Sequence, residues 1–202
     1  MLERGGSPRP LARATLSTEL ARVQTELKRG PMKPLNLQKW IDDHRHLLKP
    51  PVGNQHVWED REFMVTVVGG PNARTDFHVN EGEEFFYQLE GEMNLRQWVD
   101  GQPVDMPIRA GEIYLLPPNV PHSPQRLANT VGLVIEHKRL SHQKDGFLWF
   151  CDRCHTKLYE EFLYVDDIVR QLPPVFDRFF GNDANCTCRN CGWKAERKRA
   201  EG

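Results

Sequence analysis

No apolar run in the 202 residues approaches the roughly 18 needed to cross a bilayer, so no membrane-spanning helix is expected. The first residues lack the apolar core of a secretory signal, and secretion is not the expected fate. Net charge is almost absent. With 27 Lys and Arg against 28 Asp and Glu the balance is −1, which argues against a chain that holds nucleic acid through its overall field. No repeat at solenoid periods occurs. The near-neutral balance is uneven, however: residues 1–31 hold five Arg and one Lys against three Glu, or +3, leaving −4 on the remainder.

The length suits one compact domain with a small appendage. The first 31 residues are rich in Arg, Ser, Thr and Pro, with an amphipathic pattern at 17–28 and a Gly30-Pro31 stop before Met32. They read as a disordered extension or a misplaced start. A mitochondrial transit peptide is the alternative, but Glu3, Glu19 and Glu26 make the segment more acidic than such peptides usually are. A cytoplasmic location is therefore expected.

Leu37, Trp40, Ile41, Leu47 and Leu48 mark a short helix at 35–48, with Asn36 as N-cap and Pro50-Pro51 as its stop. The texture then changes. Segments 63–68, 84–89, 93–99, 113–116 and 131–135 are short, rich in β-branched and aromatic residues, and separated by Gly, Pro, Asn and Asp. Such spacing favours a sandwich or barrel over a βαβ sheet. Asp100-Gly101 after Val99 signals a hairpin. Beyond Asp145 the chain holds all five cysteines, with a helix expected between them that ends at Pro173-Pro174.

Two stretches carry most of the chemistry. In the first, His78 and Glu84 stand six residues apart and the segment closes at Gly91; in the second, a strand after Gly111 runs through Pro117, Pro118 and Asn119 to His122. These resemble the two cupin motifs, H-x5-E-x6-G and G-x5-P-x-N-x2-H. Metal-binding cupins usually open with H-x-H, whereas this chain has Asp76 at the first position, which lowers the expected ligand count to three. His78, Glu84 and His122 would form a two-His, one-carboxylate face with open positions, a donor set typical of non-haem Fe(II) oxygenases. Strand alternation places the rival Glu83 on the opposite face from Glu84. Arg74, Arg126 and Glu136 lie close to these motifs in sequence, and Arg suits bidentate recognition of a planar carboxylate.

Further segments make the resemblance narrower: Pro50 to Asn54, Val67 to Asn72, Arg74 to Asp76, Glu83 to Leu89, Leu116 to Pro118, His122 to Arg126 and Val134 to Glu136. Together they are similar to the 3-hydroxyanthranilate 3,4-dioxygenase family, from about Leu35 to the last cysteine pair. The resemblance implies a mainly β fold, a cupin jelly-roll barrel with a short N-terminal helix and a small C-terminal four-cysteine arm. It implies Fe(II) at His78, Glu84 and His122, with Arg74, Asp76, Arg126 and Glu136 as catalytic residues. Arg74, Glu84, Arg126, Glu136 and Asn54 would contact the substrate. The implied reaction opens the ring of 3-hydroxyanthranilate with O2 to 2-amino-3-carboxymuconate semialdehyde, which closes to quinolinate. That places the chain in the kynurenine pathway, leading to NAD. Another cupin oxygenase or isomerase acting on a small carboxylate, or a carboxylate-binding sensor without turnover, are the competing expectations.

Cys151/Cys154 and Cys188/Cys191 form two C-x-x-C pairs that enclose 33 residues, and two such knuckles can clamp one tetrahedral metal. His155 completes C-x-x-C-H, but attachment of c-type haem would not account for the second pair. Microbial members of the family carry a rubredoxin-like iron site here; Fe or Zn would suit four thiolates, in a structural role. Cys186 is left as a free thiol or as an alternative to Cys188. The expected division is an extension at 1–31, a catalytic β-barrel at 32–145, a cysteine-clamped arm at 146–194 and a frayed tail at 195–202. A homodimer is expected, with no nucleic-acid or membrane partner.

Overall fold

The structure is a computed structural model and describes residues 33–50, 53–58 and 61–198. The expected N-terminal extension and the helix at 17–28 lie outside the described residues, as does the end of the tail. The chain divides into two compact units, 1–40 and 41–202, and the sheets and both candidate metal sites belong to the second. Among the described residues no helix is long and apolar enough to cross a membrane.

Helix α1 (Leu37–His44) starts where Asn36 accepts the Lys39 backbone N–H at 2.9 Å, and a 3-10 turn (Arg45–Leu47) finishes the segment. Eleven strands follow: β1 (Asn54–His56), β2 (Phe63–Gly69), β3 (Phe77–Val79), β4 (Glu84–Glu90), β5 (Glu92–Val99), β6 (Gln102–Arg109), β7 (Ile113–Leu116), β8 (His122–Arg126), β9 (Val131–His137), β10 (Asp145–Phe150) and β11 (Lys157–Leu163). They form two antiparallel sheets, in the orders β1-β2-β9-β4-β7 and β11-β10-β3-β8-β5-β6. Phe86 and Leu116 from the first sheet pack with Met93, Leu95 and Ile108 from the second, so the sheets face each other across a shared apolar layer. The fold is the mainly β, two-sheet architecture expected from the strand spacing.

The five expected strands appear with small changes at their ends, and six others join them. Strand β6 is absent from the sequence reading because Pro103 and Pro107 interrupt its pattern. It is the edge strand of its sheet, where a residue without an N–H is tolerated. The hairpin to β6 turns at Asp100 (φ 49°) and Gly101 (φ 81°), the two left-handed residues that a tight two-residue turn requires. Strand β10 straddles the expected boundary at 145/146. It pairs with β3, setting Phe147 opposite His78, so the cysteine-bearing part of the chain extends the sheet that carries a candidate ligand.

Helix α2 (Ile168–Phe180) corrects the expected stop at Pro173-Pro174: it runs through both prolines for two more turns. Asp167 caps it by accepting the Arg170 N–H, which compensates one of its free donors. Burial keeps it helical beyond the prolines. Val175 and Phe179 are fully buried, and the Phe179 ring stacks on Trp149 at 4.4 Å between centroids. Helix α3 (Asp183–Cys186) then leads to the second cysteine pair. Phe179→Ala should lower the unfolding free energy by about 3–5 kcal/mol in a denaturant titration, as for a buried aromatic. A loss below about 1 kcal/mol would show that burial does not hold this helix.

Candidate metal centre and its surroundings

His78 comes from β3, His122 from the start of β8 and Glu84 from the start of β4, so the three side chains meet from both sheets. All three are buried, and their candidate ligand atoms lie within 4.8 Å of one another. Register produces the meeting. His78 and His122 are direct cross-strand partners, while Glu84 is opposite Glu136 on β9. Glu84 is buried whereas Glu83, immediately before the strand, is exposed.

The hydrogen bonds around the imidazoles select which nitrogen faces inward. His122 Nδ1 lies 3.0 Å from the Val120 carbonyl, which can only accept, so Nδ1 donates there and Nε2 is the nitrogen turned inward, 3.3 Å from Glu84 Oε2. His78 Nε2 lies 2.7 Å from Asp145 Oδ2, which likewise leaves Nδ1 facing Glu84 Oε1 at 3.5 Å. Asn80 Nδ2 donates to Glu84 Oε1 at 2.6 Å. Burial alone would raise the Glu84 carboxyl, but the His122 and His78 imidazoles hold it well below the usual carboxylate range. Burial likewise opposes a charge on His78, yet Asp145 and Glu84 outweigh it and raise the ring to about 9. Two nitrogens and a carboxylate oxygen converging from buried, oriented side chains are a donor set that can hold a divalent transition metal.

The other expected site residues divide into those on the same inner faces and those elsewhere. Glu84 and Gln88 on β4, Gly132 and Glu136 on β9, and His122 and Arg126 on β8 repeat at intervals of four, so each pair shares one face. Gln88 is opposite Gly132 just as Glu84 is opposite Glu136. Arg126 is 4 % exposed; its Nη1 donates to Gln88 Oε1 at 3.2 Å, and its Nε has no hydrogen-bond partner among the described residues. Burial pushes this guanidinium down to about 10, still charged at neutral pH. A Cβ on Gly132 would come within 2.7 Å of Arg126 Nη1 and 2.8 Å of Gln88 Oε1, so the glycine makes the room in which the guanidinium lies.

Glu136 is held by Arg139 Nη1 at 2.6 Å, and burial together with the nearby Glu84 charge raises its carboxyl. Arg74 pairs with the fully buried Asp76 through its Nε at 3.0 Å and through its Nη2. Burial opposes the Arg74 charge, but Asp76 and then Glu84 raise it, which puts the cation within electrostatic reach of the triad. Asn54 is half-buried on β1, beside β2 at the edge of the first sheet. Asn80, Gln88, Arg139 and Asp145 were not singled out from the sequence. Asp145 is 67 residues from His78, and only the pairing of β10 with β3 signals their contact.

The four cysteines gather at the other end of β10. Cys151 and Cys191 sulfurs are 3.5 Å apart, as are those of Cys154 and Cys188, and all four lie within 4.8 Å. That is too long for a disulfide and near the roughly 3.8 Å edge of a tetrahedron with bonds of about 2.3 Å to sulfur. Each knuckle ends on a left-handed residue, His155 (φ 61°) and Gly192 (φ 73°), whose N–H returns to the carbonyl of Cys151 or Cys188. His155 thus has a turn position in the first knuckle. Hydrogen bonds from Thr156 and Asn190 draw the Cys154 thiol down to about 5. Cys186 is buried outside the cluster, with its sulfur 3.9 Å from the Asp183 carbonyl.

A family model described as 3-hydroxyanthranilic acid dioxygenase matches residues 31–180. Among curated proteins, the 3-hydroxyanthranilate 3,4-dioxygenase of Xanthomonas campestris pv. campestris is 56% identical over 159 residues, covering 79% of this chain and 90% of that one. The enzyme of the same name from Ruegeria pomeroyi is 54% identical over 162 residues, covering 80% and 90%. That of Paraburkholderia phytofirmans is 52% identical over 161 residues, covering 79% and 92%. Among solved structures, a cupin-2 domain containing protein from Shewanella frigidimarina superposes with a TM-score of 0.41 at 19% identity, covering 52% of this chain and 94% of that one.

The raised His78 makes a proton the competitor of a metal below pH 9. Affinity of the triad for Co(II), read from its nitrogen- and oxygen-ligated absorption bands, should fall about tenfold per unit from pH 9 to pH 6. An affinity that stays flat over this range would mean that the metal-free ring is already neutral.

Proposed function

The chain belongs to the 3-hydroxyanthranilic acid dioxygenase family, and we propose that it opens the ring of 3-hydroxyanthranilate with O2, giving 2-amino-3-carboxymuconate semialdehyde on the way to quinolinate and NAD. The observation that carries this reading is Arg126: a buried cation with an unpartnered Nε, on the same strand face as His122, is a receptor awaiting an anion. A buried charge of this kind is costly unless paired. The substrate's carboxylate supplies the pair, and it fixes the ring at one end of the inner face while the triad stands at the other.

His78, Glu84 and His122 fit Fe(II) as a two-His, one-carboxylate set. Bound there, iron would leave positions open for the adjoining amino and hydroxyl groups and for O2, and would carry electron density between them. The chain's own residues do the rest. Glu136 stands across the strand pair from Glu84 with a raised carboxyl, suited to accept the proton of the substrate hydroxyl. Arg126 and Gln88 hold the carboxylate and so choose which ring carbon meets O2. Arg74 lies ahead of β3, its guanidinium oriented by the buried Asp76, and Asn54 contributes to the substrate's surroundings. The four-cysteine cluster takes Fe or Zn as a structural clamp. The exposed Ile113 and Leu115 on β7 support a homodimer, and a cytoplasmic location fits the reading.

Protein loaded anaerobically with Fe(II) should consume O2 and form a new absorbing product when given 3-hydroxyanthranilate and air. The absence of both events in protein of proven iron content would overturn the assignment. Glu84→Ala should lose iron from the triad. Arg126→Ala and Gly132→Ala should keep iron but raise KM, and 2-aminophenol, which lacks the carboxylate, should lose about 3–5 kcal/mol of binding in wild type, on the order of 10²–10⁴-fold in kcat/KM. Iron loss in Arg126→Ala would contradict the assigned roles.

A further inference from the structure

One buried arginine has no part in the reaction described so far. Arg139 follows β9, and its side chain is only 9 % exposed. Its Nε and Nη2 donate to the two oxygens of Asp145, each at 2.8 Å, and its Nη1 donates to Glu136 Oε2 at 2.6 Å and to the His137 carbonyl at 3.2 Å. Asp145 is fully buried, and its Oδ2 also faces His78 Nε2 at 2.7 Å. A continuous path therefore runs from His78 through Asp145 and Arg139 to Glu136.

The path crosses the molecule in a particular way. His78 on β3 and Asp145 on β10 belong to the second sheet, whereas Glu136 on β9 belongs to the first. The triad has the same division, with Glu84 from the first sheet and the two histidines from the second. Its geometry therefore depends on how the sheets are held at this point. A guanidinium is planar, and its donors form a rigid fork. Two carboxylates bound to different edges of one fork cannot rotate or separate independently. A lysine would supply the charge without the fork.

We infer that Arg139 is a positioning residue that braces the two sheets beside the metal centre, fixing His78 through Asp145 and fixing Glu136 directly. The inference rests on the reading of the triad as the iron site and of Glu136 as the substrate-facing base. It assigns one side chain to two tasks, metal retention and substrate orientation, that would otherwise be independent. A merely structural role, neutralising buried carboxylates, would require charge alone.

The test uses the full-length chain with Arg139→Lys and Asp145→Asn. Co(II) affinity at the triad is read from nitrogen- and oxygen-ligated bands, apart from the intense thiolate bands of the four-cysteine site; kcat and KM are measured on the iron-loaded enzyme. Arg139→Lys should weaken triad Co(II) binding 10–100-fold and lower kcat at saturating iron by a similar factor, with the thiolate bands unchanged, as expected for loss of a partner that orients a ligand. Wild-type metal affinity in a folded Arg139→Lys protein, whatever its kcat, would overturn the brace, as would weakened affinity with wild-type kcat. Should Arg139→Lys fail to fold, Asp145→Asn decides: the same double loss supports the brace, and an unchanged kcat at saturating iron refutes it, because among the described residues the hydrogen-bonded route from Asp145 to Glu136 runs through Arg139. If wild type itself does not turn over 3-hydroxyanthranilate, the reaction assignment fails, while the Co(II) arm still decides whether Arg139 positions His78.

Discussion

The carboxylate of Glu84, buried between two imidazoles, is the constraint from which the rest of the structure follows. A carboxylate out of water is costly unless its oxygens are answered, and here they are answered from both sheets: by His78 and His122 on one side and by Asn80 on the chain leading into β4. The two sheets must therefore approach closely and in register at this point. The apolar layer of Phe86, Met93, Leu95, Ile108 and Leu116 supplies the force for that approach, and the polar groups define where it has to be exact in register.

Charge is graded along the inner face. Near the triad, Glu84, Glu136, Asp76 and Asp145 bring negative charge, offset by Arg74, Arg139 and the imidazoles. Four residues further along β8, Arg126 stands with only a neutral amide as its partner. The contrast between these arginines is informative. Arg74 and Arg139 are paired with carboxylates of the chain itself, whereas Arg126 retains capacity for an external anion. Gly132 is part of the same arrangement, because a methyl group there would occupy the guanidinium's space. Among the described residues the interior thus combines a centre of paired charges with the unpartnered Arg126 nitrogen, the pattern that the proposed substrate, with chelating groups at one end and a carboxylate at the other, would complement.

Much of this was legible from local patterns. The strands rich in β-branched residues, the Asn36 cap and the Asp100-Gly101 turn depend on neighbours within a few residues, and they appear where those neighbours put them. Elements that break local rules were not legible. Strand β6 carries two prolines and exists because its position at an edge leaves their missing N–H groups without consequence. Helix α2 continues through Pro173-Pro174 because Val175 and Phe179 are buried against Trp149 and its neighbours, a contact between segments separated by about 25 residues. Local propensity loses to burial in both cases.

The sequence by itself determined the chemistry available: His78, Glu84, His122, the two cysteine pairs and the arginines could be picked out by residue type and spacing, because motif spacing records which side chains a strand and its turns deliver to one place. Only the tertiary structure decided how those groups are used. Asp145 and Arg139 have no local signature, and their roles arise from the pairing of β10 with β3 and of β9 with β4. Likewise, Arg74 and Arg126 are the same residue type near the same motifs, yet one is neutralised by Asp76 and the other is left with an unpartnered nitrogen. The physical reason is that a side chain's charge, tautomer and capacity for a ligand depend on the groups within a few ångströms of it, and those are set by cross-strand register rather than by position along the chain.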